Sequence, residues 1–135
     1  MPKHQRPVIA ALLALIVLQL IMLSALYAGV PPHPPVATPL FGIAPFIGMS
    51  VAVALAALVM GPADTSTGRI LSGLAVLCAL VSFGPQKYLD PQFALIWPAV
   101  LTGQVAALVV LASVFGVIRA DQTDEVARHA AQRAG

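Results

Sequence analysis

Side-chain chemistry needs ionisable or nucleophilic groups held close together, and here such groups are few and scattered. The three histidines are His4, His33 and His129. His33 stands alone in the proline-rich stretch "VPPHPPVATP", while His4 and His129 lie near opposite ends of the chain. Two terminal histidines without carboxylate support make a poor metal site, since zinc takes three or four protein ligands. The one cysteine, Cys78, sits in an apolar run, so no intrachain disulfide forms and the thiol reads as a small hydrophobe. Ser24, Ser50, Ser72, Ser82, Thr102 and Ser113 have no assembled base and orienter, and are expected to bond back to helix carbonyls. Lys87 and Asp90 share one short segment, where capping and interface anchoring are their expected work. There is no glycine-rich phosphate loop and no Cys/His metal spacing. No catalytic residue, metal or cofactor is expected, and an enzyme is the least favoured reading.

Two amides stand out instead. Gln19 interrupts the apolar run "LIVLQLIML", and Gln104 interrupts "VLTGQVAALVVL". An amide left unpaired in an apolar medium costs several kcal/mol. The spacing predicts that both face inward and satisfy each other, a backbone carbonyl or a partner subunit. The alternative is that they line the path of a translocated solute, because polar groups inside membranes are often functional.

These residues must be placed by elements that water cannot surround. The 135 residues suit a single domain, 59% hydrophobic and only 9% charged, with a net charge of +2. Mean hydropathy is +0.93. Soluble domains carry about 25% charged residues. The charges form no basic stripe, so nucleic acid is not an expected partner. Four runs approach the roughly 20 apolar residues that cross a bilayer core: 7–28, 39–60, 66–84 and 91–118. Pro7, Pro39 and Pro91 suit helix starts, with Thr38 and Asp90 before two of them as caps. Asp64, Thr65 and Ser66 offer capping oxygens for the third run. Gly29, Gly61 and Gly84 are expected to end helices in the left-handed conformation, each followed closely by proline. Arg69, near the start of the third run, is expected to snorkel toward headgroups. Lys3, Arg6 and "SALYAG" loosely resemble a secretory signal, but the apolar stretch is longer than such signals carry, and no cleavage is expected.

The expected fold is therefore an all-α membrane protein: four transmembrane helices over residues 1–118 in an up-down bundle, with a polar cytoplasmic helical extension over 119–135. Lys3, Arg6, Arg69, Arg119, Arg128 and Arg133 would lie on one side and only Lys87 on the other. Basic residues accumulate in the cytoplasm, so both termini are placed there, in the inner membrane if the source is bacterial. Asp124–Arg128 and Glu125–His129 are spaced to support a helical tail. Small residues recur every four positions, as Gly48, Ala52 and Ala56 and as Ala99, Gly103 and Ala107, and both stripes are expected at helix contacts. Phe41, Phe46, Phe93 and Trp97 gather near the outer helix ends. They form either an interfacial belt or an outer-leaflet pocket for a lipid, quinone or partner helix. "PLFGIAP" and "PQFALIWP" hint at two related hairpins. The expected partners are membrane lipids and other integral membrane subunits or further copies of the chain. The leading function is an accessory, stabilising or assembly subunit of a larger membrane complex, and the alternative is a small oligomeric permease.

Overall fold

The protein is represented by a computed structural model that describes residues 5–30 and 40–134. The described residues are helical apart from short connections: α1 Gln5–Ala28, α2 Leu40–Met60, α3 Ser66–Phe83, a 3-10 helix Pro85–Leu89 and α4 Phe93–Ala134. Among the described residues four segments are long and apolar enough to cross a membrane: Gln5–Ala28, Phe41–Met60, Ser66–Leu89 and Phe93–Gly116. The proline-rich strap with His33, the Thr38–Pro39 start, and Lys3 and His4 lie outside the described residues, as do the Arg128 and His129 side chains.

Several helix ends follow the local chemistry, although α1 includes Gln5 and Arg6 ahead of the expected start at Pro7. Gly29 and Gly61 take φ values of +64° and +80°, the left-handed region that glycine enters without a Cβ penalty. The Gly29 N–H donates to Leu26 O and that of Val30 to Ala25 O, which closes α1. Between α2 and α3, Thr65 accepts the Gly68 N–H and donates its own hydroxyl to Met60 O, joining the end of one helix to the start of the next. Arg69 Nε donates to Ala63 O at 2.9 Å and the Ser72 hydroxyl to Pro62 O at 3.2 Å, and both brace this turn. Ser24 and Ser113 do bond back to carbonyls four residues earlier.

Gly84 departs from expectation. Its φ is −73° and ψ 177°, an extended conformation rather than a left-handed cap. Pro85 is the cause, because a proline ring pushes the preceding residue toward extended backbone. The last carbonyls of α3 are served by side chains instead: Gln86 Nε2 donates to Leu80 O and Val81 O at 2.8 and 2.9 Å. At the next boundary the expected start at Pro91 is displaced: Asp90 ends the 3-10 helix, its Oδ1 accepts the Gln92 N–H within the turn, and α4 begins at Phe93.

The helices pack in chain order, α1 on α2, α2 on α3, α3 on α4, and α4 closes onto α1. Large residues of α1, Leu12 and Leu15, fill the centre against Ala54 and Ala57 of α2, Ala75 and Ala79 of α3, and Ala107 of α4. The alanines of α2, α3 and α4 let backbones approach closely, with Val76 of α3 and Val110 and Val114 of α4 buried in the same cluster. Gly103 is part of this arrangement: a Cβ there would lie 2.8 Å from Phe83 Cβ. The other glycine stripe is not. Gly48 and Ala52 are exposed, and nothing lies within 4 Å of a Cβ placed on Gly48. The buried positions of α2, namely Ile47, Ser50, Ala54 and Ala57, recur at helical spacing on the opposite face.

Candidate functional site

The polar groups inside the bundle divide into a satisfied set and an unsatisfied one. Gln104 belongs to the first. Its Nε2 donates to Phe83 O at 3.2 Å, and its Oε1 accepts the Tyr88 hydroxyl at 2.7 Å. The amide thus ties α4 to the last carbonyl of α3 and to the 3-10 helix. Gln19 belongs to the second. It is 1% exposed, and neither Nε2 nor Oε1 has a partner among the described residues. The Ser50 hydroxyl, fully buried on the neighbouring α2, is also unpartnered. Gln19 and Gln104 therefore do not pair. Gln104 finds the backbone carbonyl that sequence reasoning allowed, and Gln19 is left facing the interior.

The bond from Gln104 to Phe83 also reveals a mismatch in helix length. Phe83 ends α3 beside Gly103 and Gln104, while α4 starts at Phe93. Ten residues of α4, roughly 15 Å, continue past the end of α3. The 3-10 helix and the Asp90–Gln92 segment do not fill that length. A pocket of about 170 Å³ remains, walled by Leu18, Ile21, Met22 and Ala25 of α1 and by Leu95, Ile96, Ala99 and Val100 of α4. Ser82 and Phe83 line it from the end of α3, and Lys87, Asp90 and Gln92 line it from the connecting segment.

This pocket is amphipathic. Its walls are apolar, and charged groups come only from the connecting segment, where Lys87 Nζ meets Asp90 Oδ2 at 3.3 Å. The Gln92 N–H on Asp90 lowers the carboxyl pKa below its ordinary 3.8, with Lys87 adding to the effect and burial opposing it. The carboxylate is therefore charged at neutral pH. Among the described residues, no group of three His, Cys, Asp or Glu gathers to hold a metal.

None of the four aromatic residues singled out from the sequence lines this pocket. Phe41 is 83% exposed and Trp97 49% exposed. Phe46 is half-buried, and Phe93 packs on Tyr88 with ring centroids 5.2 Å apart. The pocket residues carry no motif. The readable signal was the early Gly84–Pro85 stop, which leaves the third apolar run shorter than its neighbours. No family model matches the chain, and neither the curated proteins nor the solved structures contain a significant match to it.

Proposed function

We propose that this chain is an integral membrane protein, crossing the bilayer four times as an up-down bundle with both termini cytoplasmic. We further propose that it serves as a non-catalytic accessory, stabilising or assembly subunit of a larger membrane complex. Four apolar segments of crossing length and the six-to-one distribution of basic residues support the placement. A single cysteine at Gln122, in a Cys78→Ala background, is expected to react with an impermeant maleimide only when the cytoplasmic face is open. A cysteine at Gln86 is expected to react from the other face. Labelling of both from the same face would refute the topology.

The observation that carries the subunit reading is the outward face of α2. A glycine inside a helix costs about 1 kcal/mol relative to alanine. Gly103 offsets that cost through its close contact with Phe83, but no described residue offers Gly48 such a contact. A smooth patch of Gly48 and Ala52 permits close approach of a helix from outside, the usual basis of association in lipid. Gly48→Leu should release the chain from its assembly in mild detergent while helix content, by circular dichroism, stays unchanged. Native pull-down with mass spectrometry of whatever accompanies the chain reads the result. A wild-type chain that purifies alone and monodisperse would sink this reading.

The second reading, a small oligomeric permease, draws on Gln19 and Ser50, whose polar atoms are buried and unpartnered on adjacent helices. It gains nothing from Gln104, whose amide is committed to Phe83 O and Tyr88.

A further inference from the structure

We infer that the pocket beyond the end of α3 is a binding site for one zwitterionic phospholipid, with an acyl-chain segment between α1 and α4 and the headgroup on Lys87 and Asp90. The inference rests on the membrane placement proposed above, not on the subunit reading. The pocket exists because α4 outruns α3, so it lies toward the Phe93 end of the bundle, where chain and headgroup regions meet. Its volume, about 170 Å³, is close to that of an apolar cavity of about 150 Å³ that takes up benzene. A short segment of hydrocarbon chain fits; a helix does not.

The rim selects the headgroup. Lys87 and Asp90 side chains are 25% and 11% exposed, so both are partly withdrawn from water. Their contact of 3.3 Å is longer than the 2.7–2.9 Å of a tight charge-assisted bond. Asp90 takes one of the three ammonium donors of Lys87, which leaves two for a phosphate. The Asp90 carboxylate in turn can accept from an ammonium. The two charges sum to zero, so the rim gives a purely anionic lipid no net attraction. A headgroup with phosphate and ammonium side by side matches the pair, with each charge placed against its opposite.

The test uses the full chain in detergent micelles, titrated with phosphatidylethanolamine, phosphatidylglycerol or diacylglycerol carrying identical acyl chains. Native mass spectrometry counts retained lipid, and thermal unfolding follows saturable stabilisation. One phosphatidylethanolamine is expected per chain, with at least about tenfold weaker binding of the other two, which corresponds to about 1.4 kcal/mol. Ala99→Phe fills the pocket and should abolish retention while helix content persists. If that variant does not fold, Ala25→Leu fills the pocket from the facing wall. The double variant Lys87→Met/Asp90→Asn should erase the headgroup preference. Equal binding of all three lipids, preference for phosphatidylglycerol, or retention undiminished by filling the pocket would each overturn the inference. So would a dimer that occupies the pocket with a second copy. A chain that never partitions into detergent overturns the membrane placement itself, whereas one that partitions without discriminating among lipids overturns this inference alone.

Discussion

Gly68→Ala is expected to destabilise the protein by about 3 kcal/mol, at the upper end of the cost of overpacking. Gly68 lies in the first turn of α3, where its N–H donates to Thr65 Oγ1 at 2.9 Å. A Cβ there would collide with the Gly61 carbonyl and come within 3.0 Å of Thr65 Oγ1. The colliding atoms are backbone, so no side-chain rotation relieves the clash. Gly61 cannot retreat easily either, because its φ of +80° is fixed by the turn and its carbonyl accepts the Asp64 and Thr65 N–H groups. The damage should spread to the whole corner, including Ser72 on Pro62 O and Arg69 on Ala63 O. Unfolding in detergent, followed by helix content, measures the loss. Gly73→Ala supplies the control. That site lies in the same helix with nothing within 4 Å, so alanine there should stabilise by up to about 1 kcal/mol. Equal effects at the two glycines would show that the corner yields.

The second large effect has the opposite sign. Gln19→Leu should raise stability by about 1–3 kcal/mol, the penalty of a buried polar group without a partner. Leucine is similar in size, and the surroundings in the core cluster, such as Leu15 and Ile16, are apolar. Ser50→Ala should act in the same direction and by less. Gln104 is the reverse case, since its removal leaves Phe83 O and the Tyr88 hydroxyl without their partner. The same Gln19 variant bears on function. A more stable protein that loses activity in its membrane would mark the amide as retained for a solute, and so favour the permease reading. A less stable protein would show that Gln19 has a hydrogen-bond partner that its buried position does not reveal.

Much of the helical layout was legible because starts and stops depend on local chemistry. Gly29 and Gly61 end their helices in the left-handed region, and Thr65 caps α3, as their residue types dictate. Gly84 was misread because two local rules compete there. Glycine permits a left-handed cap, but the following proline favours extended backbone, and here the proline rule prevails. The glycine stripes show a different limit. Gly48 and Gly103 have similar spacing in sequence, yet one faces outward and the other meets Phe83. Periodicity fixes which residues share a face, and packing against the other helices decides where that face points. The candidate site was least legible. Its walls are ordinary Leu, Ile, Met and Ala, and the space between them arises from a difference in helix length, a property of no single residue. Gln104 also had its partner set by that difference, since only a short α3 brings Phe83 O within its reach.

Beyond the bundle, α4 runs to Ala134 as one helix of 42 residues, with neither glycine nor proline after Gly116. From Arg119 to Ala134 the axis advances about 23 Å. Over that length the helix has no glycine or proline joint between Val117 and Ala134. The far end of α4 therefore stands about 23 Å along the axis from Arg119.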